Sequence, residues 1–520
     1  MQPNKIADIN TLKVKDYLYK YWQEKPLLLI MIASGFFRLL AVLFSKGYGM
    51  SDDHFLVIEA AQKWVNVDTN DWFPTATNNI TKPLGHPLLY TGLHALLFKC
   101  LQAIGIFDPQ IKMYVVRFIH AIYSMSIIYF GFKITKRLSG MQAAKTVALL
   151  LGLLWFMPVM SVRNLVEFVC IPPLLFATWH FIKYENKFSW HIFLWIGFLL
   201  GIAFNIRFQT VTFIGGFGLA ILLLNKWKEC IFIILGFLLC TLMVQAFTDL
   251  LIWKKPFMEL TEYVRYNIEN ANNYITQGWY MYLLLIGGIL IPPISVFIAF
   301  GFMRSWRKHL ILFLPTFIFF VAHSIFPNKQ ERFILPAIPF IIILGIIGWY
   351  DYQNNSSFWK RNTKLLKACW VFFWIINCIP LPFVSVAYTK RSRVEAMTYL
   401  HHQRDFKEFL LEESFNENTI LPPLFYLGKM GFYYSVTKSN GVDVLINQVG
   451  KYTYNHHPNY IIFDQTDHLD ERVNNMKKVF PNLTFETMIE PGFIDKILHN
   501  LNPHNVNYAC YIYKTNEVEK

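Results

Sequence analysis

The chain has 520 residues, 54% of them hydrophobic, with a mean hydropathy of +0.32. Its repeated apolar runs are long enough to cross a bilayer, which excludes a soluble protein and defines a polytopic membrane one. The net charge of +14 lies mainly in short Lys and Arg clusters between those runs, as the positive-inside rule requires, so it speaks for topology and against a nucleic-acid partner.

Seven cysteines are an odd count. Cys170, Cys230, Cys240, Cys369 and Cys378 sit inside apolar runs, and Cys100 and Cys510 lie elsewhere without metal spacing, so neither a disulfide framework nor a zinc site is expected. The first two dozen residues lack the pattern of a cleaved signal peptide, and the first span is expected to stay in the mature protein.

Pro26 to Phe44 reads as that first span, preceded by Lys13, Lys15, Lys20 and Lys25, which favour a cytoplasmic amino terminus. The pair Asp52-Asp53 then falls outside. Phe55, Ile58, Glu59, Gln62 and Lys63 follow at helical spacing and predict a short amphipathic helix along the membrane. Residues 87–101 are apolar but short, and carry His94 and Lys99. If they cross, the cluster Lys133, Lys136, Arg137 and Lys145 lies outside. If they stay in the interface, that cluster and four later basic loops all lie inside, so an interfacial or re-entrant helix is expected. Further spans are expected near 111–132, 145–160, 168–182, 190–205, 209–224, 229–247, 279–302, 309–326, 334–350 and 365–387, about eleven in all. The polar stretches 163–167, 205–209, 248–275 and 327–333 then share the outer face with Asp52.

After Tyr388 the composition is that of an ordinary soluble domain. A helix-like 397–415, a strand-like 460–463, a helix-like 469–479 and a strand-like 509–513 predict a small extracytoplasmic α/β domain. The expected organisation is an all-α polytopic membrane domain over 1–387 and this soluble domain over 388–520. No internal repeat is visible. His401-His402 and His456-His457 read as surface histidines, and Asn79-Ile80-Thr81 and Asn482-Leu483-Thr484 fit the short glycosylation pattern.

Asp52 and Asp53 admit two compatible readings: a cap for the helix at Phe55, or a general base accepting a hydroxyl proton. Lys329 and Arg332, three residues apart, form a cationic clamp if the turn is helical, or a pair snorkelling to lipid headgroups. Arg207, with Gln209, lies inside an apolar run, where a charge is expensive and marks a functional site or a structural ion pair, with Glu167 the obvious partner. Arg163, Asn164 and Glu167 make a further polar cluster at a span mouth. Arg117 and His120 read as structural. His86-Pro87 is a turn before a helix, with a histidine able to face an anionic headgroup.

Together these residues resemble a family. Ser324-Ile325-Phe326-Pro327-Asn328-Lys329-Gln330-Glu331-Arg332-Phe333-Ile334-Leu335-Pro336 is similar to the H-K-E-x-R-F signature of the polyprenyl-phosphate-mannose-dependent mannosyltransferases that build glycosylphosphatidylinositol anchors and N-glycan precursors. Ser51-Asp52-Asp53-His54-Phe55 resembles their first-loop H-P-D-E-Y-F, and Arg163-Asn164-Leu165-Val166-Glu167 their T-R-T/N-L-x-E segment. Asn328 and Gln330 replace the signature His and first Glu, and Met50-Ser51 replace His-Pro. The resemblance covers about the first 390 residues and implies the GT-C fold, with Asp52 in the register of the family's base and Asp53 in that of the following Glu.

The implied reaction is an inverting transfer of a sugar, mannose in the family, from a polyprenyl monophosphate to a lipid- or glycan-linked acceptor hydroxyl. Asp52, helped by Asp53, takes the proton. Lys329, Arg332, Arg207 and His86 hold the donor phosphate, and Arg163, Asn164, Glu167, Asn328, Gln330 and Glu331 support them. A lipid phosphate leaves as a stable anion, so a second catalytic carboxyl is not needed. No metal or other cofactor is implied. The expected partners are the donor, the acceptor and membrane lipids, for a monomer in a bacterial inner membrane with its site facing the periplasm, or in the endoplasmic reticulum facing the lumen. A transporter or flippase of a lipid-linked or anionic solute and a lipid-linked glycan ligase are the competing readings; a carrier would show repeats and a midplane site.

Overall fold

A computed structural model describes residues 16–17, 19–66, 83–273, 276–414, 420–429, 433–438, 458–501 and 507–515. Lys13, Lys15, Asn79–Thr81 and His456-His457 lie outside them. The chain forms two compact units, one comprising Met1–Val42, Ala76–Tyr90 and Arg117–Ser385, the other Leu43–Thr75, Thr91–Val116 and Val386–Lys520.

Among the described residues, six helices are long and apolar enough to cross a bilayer: Pro26–Phe44, Pro109–Ser139, Val166–Tyr184, Trp227–Trp253, Glu331–Asn355 and Thr363–Ser385. Shorter apolar helices at Met141–Leu153, Trp190–Ile206, Phe208–Leu223, Ile294–Arg304 and Leu310–Ile325 accompany them. The first span shows why they face as they do. Leu28, Ile32, Phe36, Leu39 and Leu43 are exposed along one side, while Ser34 and Arg38 are buried on the other. Lipid accepts the apolar stripe and the protein interior satisfies the polar one.

Several expected spans are interrupted. The 145–160 run is a helix Met141–Leu153 and, after a turn, a helix Met157–Val162. Peptide groups at such a break have no water to bond in a membrane, and two distant side chains take them. Arg38 Nη1 donates to the Gly152 carbonyl at 3.0 Å and Nε to Ser124 Oγ at 2.9 Å. Asn377 Oδ1 accepts from the Trp155 N–H at 2.9 Å, while its Nδ2 donates to the Leu153 carbonyl at 2.8 Å. The 279–302 run divides into Met281–Ile289 and Ile294–Arg304 around Pro292-Pro293, which have no N–H to donate. The 365–387 run divides into Thr363–Cys378 and Pro380–Ser385. Helix Trp227–Trp253, in contrast, outruns its expected end, so the 248–275 stretch is largely helical, with Met258–Glu269 as a second piece.

Arg38→Met leaves buried carbonyls at the break unsatisfied, each costing about 1–3 kcal/mol. The expected result is a lower melting temperature in detergent, measured beside a lipid-facing control, Phe36→Leu, that melts as wild type.

Helix Glu331–Asn355 is the most enclosed of the six, with 94% of its apolar window buried. A glycine seam brings Ile294–Arg304 against it: a Cβ on Gly301 would stand 2.0 Å from the Gly345 carbonyl oxygen, and one on Gly348 2.0 Å from that of Gly301. Only backbones without side chains approach this closely. Arg117 and His120 have structural partners, with Arg117 Nε donating to the Val42 carbonyl at 2.9 Å and His120 Nε2 lying 2.5 Å from the Tyr90 hydroxyl.

The second unit contains a five-stranded sheet: β1 (Phe409–Glu413), β2 (Tyr433–Thr437), β3 (Tyr460–Asp464), β4 (Leu483–Ile489) and β5 (Cys510–Thr515), ordered β2-β1-β3-β5-β4. β1 pairs parallel with β2 and β3, and β5 antiparallel with β3 and β4. Leu410, Ile461 and Phe463 form a core with Val473 and Met476 of helix Leu469–Lys477. The helix expected over 397–415 is instead Arg391–His401 followed by β1. Phe409-Leu410-Leu411 is a continuous apolar run buried on both faces, which helical periodicity imitates.

The amino-terminal part of this unit is stitched to residues just beyond the last span. Gly47 and Thr389 form a parallel bridge, Ser45 Oγ donates to the Ala387 carbonyl at 2.9 Å, and Thr389 Oγ1 donates to the Tyr48 carbonyl at 2.8 Å. The segment 89–103 is a fifteen-residue helix, Leu89–Ala103.

Candidate active site

In the first unit, three residues from three short turns meet. Glu167 lies in the turn Val166–Val169, Arg207 where the chain becomes extended between Trp190–Ile206 and Phe208–Thr210, and Arg332 in the 3-10 turn Glu331–Ala337. Each turn opens a longer helix, so the side chains gather at helix mouths. Glu167 is fully buried and both arginines nearly so. Its Oε1 lies 3.0 Å from Arg207 Nη2 and 3.6 Å from Arg332 Nε. Oε2 accepts no hydrogen bond among the described residues.

Amides and aromatic rings complete the cluster. Arg207 Nε donates to Gln209 Oε1 at 3.2 Å and Arg332 Nε to Gln330 Oε1 at 2.9 Å. The Phe333 ring centroid stands 5.4 Å from one guanidinium and 5.5 Å from the other, within cation–π range. The Tyr282 hydroxyl fixes the signature loop by donating to the Gln330 carbonyl at 3.0 Å. Two guanidinium groups share one carboxylate, so this buried group carries a net positive charge suited to an anion such as a phosphate.

The other expected residues of this unit are placed around the cluster or apart from it. Lys329 is buried, and its Nζ donates to the Phe326 carbonyl at 2.5 Å. Asn328 forms an antiparallel bridge with Thr276, and Glu331 is exposed. Arg163 and Asn164 are buried in the turn that leads to Glu167.

His86 is held through its backbone by a residue the sequence reading did not single out. Glu259 Oε2 accepts from the Gly85 N–H at 2.7 Å and the His86 N–H at 3.1 Å, while Oε1 accepts from Trp253 Nε1 at 3.0 Å. Gly85 has φ +76°, and a Cβ there would meet the backbone of Tyr263 at 3.0 Å, so the turn requires glycine. Burial raises the Glu259 carboxyl from 4.5 to about 7 despite these donors. The folded protein therefore holds this proton more tightly than the unfolded chain. The associated stability is complete below pH 4.5 and is lost as pH rises through about 7, a change of about 3 kcal/mol. Melting temperatures measured across that window should fall with rising pH, and Glu259→Gln should flatten this dependence.

In the second unit, Asp52 and Asp53 lie in the first helical turn, Ser51–Asp53, followed by a π-helical turn His54–Glu59 and an α-helix Ala60–Asn66. The cap expected at this pair is absent: the N-cap position is Met50, and the two carboxylates lie inside the turn. Asp52 is exposed and Asp53 buried. A π-turn of this kind often marks a functional site. Among the described residues, no group of three or more His, Cys, Asp or Glu side chains is placed to hold a metal ion.

This fold is that of the GT-C membrane glycosyltransferases. The crystal structure of ArnT from Cupriavidus metallidurans bound to undecaprenyl phosphate is similar at a TM-score of 0.60 and 13% identity, over 94% of this chain and 97% of that one. The apo oligosaccharyltransferase of Archaeoglobus fulgidus is similar at 0.50 and 9% identity, over 86% and 70%. The profile of the Alg9-like mannosyltransferase family matches residues 29–421, and the chain belongs to that family. Among curated relatives, an Arabidopsis thaliana Dol-P-Man:Man(7)GlcNAc(2)-PP-Dol alpha-1,6-mannosyltransferase is 23% identical over 40% of this chain and 42% of its own length. The Mus musculus alpha-1,2-mannosyltransferase ALG9 is 24% identical over 27% and 26%. The chain thus spans less than half the length of the curated relatives it matches.

Proposed function

We propose that the protein is a multi-pass membrane glycosyltransferase that moves mannose from a polyprenyl-phosphate donor to a hydroxyl of a lipid- or glycan-linked acceptor, with inversion at the anomeric carbon. Membership of the Alg9-like family supports the reaction class. The observation that carries the reading is the buried Arg207–Glu167–Arg332 cluster, whose net positive charge suits the phosphate that must leave.

In this reading Arg207 and Arg332 bind the donor phosphate, and their interaction strengthens as negative charge grows on it. Glu167 keeps the two guanidinium groups together. Gln330 and Gln209 fix their planes, and Lys329 and His86 serve the same donor. Asp52 is the base that accepts the hydroxyl proton as the acceptor oxygen attacks. In this reading the catalytic face lies outside the cytoplasm, which the distribution of the basic loops supports.

The test is transfer in proteoliposomes from polyprenyl-phosphate-[³H]mannose to lipid-linked oligosaccharide. The expected result is a mannosylated acceptor with equimolar release of polyprenyl phosphate. Donor crossing the bilayer intact, without product, would establish a carrier instead, and use of a diphosphate-linked oligosaccharide as donor would establish a ligase.

A further inference from the structure

His54, two residues beyond Asp52, is fully buried. Its ring stacks against Tyr48, with centroids 4.4 Å apart and planes inclined by 16°, and against Tyr426, at 5.5 Å and 10°. Phe425 meets it edge-on at 6.4 Å. Its Nε2 stands 3.5 Å from Glu59 Oε1, the same oxygen that accepts the Phe425 N–H at 3.1 Å. Neither ring nitrogen makes a hydrogen bond among the described residues. The imidazole is therefore held chiefly as a flat ring.

The other flank of Asp52 is held from the same direction. Lys390 Nζ lies 4.3 Å over the Tyr48 ring and 3.5 Å from Ser51 Oγ. Tyr48 is itself tied through its carbonyl to Thr389. Asp52 thus lies between two neighbours, Ser51 and the Asp53-His54 turn, whose positions are set by Thr389, Lys390, Phe425 and Tyr426. All four residues follow the last span.

We propose that the carboxy-terminal domain is the mount of the catalytic base. His54 is a positioning residue gripped by Tyr48 and Tyr426, and this grip decides where the Asp52 carboxylate stands. A general base works only within hydrogen-bond reach of its proton, and a displacement of about 1 Å can cost roughly 10²-fold in rate. The domain would then act on the chemical step through the position of the base. The proposal rests on the reading of Asp52 as base.

A double-mutant cycle on the full-length protein tests it, with kcat and donor KM measured separately. Tyr426→Ala should lower kcat by roughly 10- to 100-fold and leave KM within about twofold. His54→Ala should do the same, whereas His54→Phe, which keeps a stackable ring, should recover most of the rate. In an Asp52→Asn background, Tyr426→Ala should cost less than about twofold, because the group it positions is gone. Where Tyr426→Ala does not fold, Lys390→Ala runs the same cycle with a smaller expected loss, roughly 3- to 10-fold. An equal loss in both backgrounds, an unchanged kcat in both Tyr426→Ala and Lys390→Ala, or a His54→Phe enzyme as impaired as His54→Ala would overturn the proposal. A fully active Asp52→Asn enzyme would instead overturn the assignment of the base, a result independent of the other arms.

Discussion

Asp52→Asn should lower transfer by about 10²- to 10⁴-fold while leaving donor binding in place. A sugar hydroxyl is a weak nucleophile, and a positioned carboxylate that takes its proton in the transition state contributes about 10²- to 10⁴-fold. The amide has nearly the same shape and Asp52 is exposed, so the turn should fold unchanged, and the buried cationic cluster should still bind polyprenyl phosphate. Equilibrium binding of that lipid beside a radiolabel transfer assay separates the two effects. Asp53→Asn serves as contrast: Asp53 is buried, so its loss should appear first in thermal stability. Wild-type transfer by Asp52→Asn would remove Asp52 from the chemistry altogether.

The second large effect is expected at Glu167, with an asymmetry between it and Arg332. Arg207 and Arg332 share the Glu167 carboxylate, and all three are buried. Glu167→Ala removes the carboxylate that both desolvated guanidinium groups share, and breaking a buried pair in this way costs about 3–5 kcal/mol. The protein should melt markedly earlier, and added polyprenyl phosphate, acting as a replacement anion, should recover part of the loss. Arg332→Ala differs because the closer Arg207–Glu167 pair remains at 3.0 Å. It should fold nearly as wild type yet lose roughly 10²- to 10³-fold in kcat through the missing stabilisation of the leaving phosphate. Equal melting curves for the two variants would show that Glu167 does not hold the cluster.

Much of the membrane domain is legible in the sequence because its signal is local. Pro26–Phe44 is bounded by its own composition, and Trp190–Ile206 likewise. The break at Leu154 is not legible, since the groups that make it tolerable, Arg38 and Asn377, are supplied from more than a hundred residues away on either side. The same distinction runs through the site. The Arg207–Glu167 pair follows from the cost of an intramembrane charge. The sharing of that carboxylate with Arg332 depends on how a 3-10 turn rather than an α-turn directs its side chain, and the diversion of Lys329 to the Phe326 carbonyl on the irregular stretch before that turn. Strand β3 is evident from its composition, whereas the contact of Tyr426 with His54 spans most of the chain and leaves no periodic trace.

The enclosure of Glu331–Asn355 bears on how the protein meets membranes of different thickness. Its apolar window is 94% buried, against 28% for Pro26–Phe44 and 22% for Thr363–Ser385. Hydrophobic mismatch acts on surface that touches lipid, and helices respond to it by tilting. The first and last spans are therefore the elements that adjust to a thicker or thinner bilayer, while the helix whose first turn carries Arg332 keeps its depth. A lipid-borne phosphate would then meet its cations at one level, whatever the acyl-chain length of the host membrane.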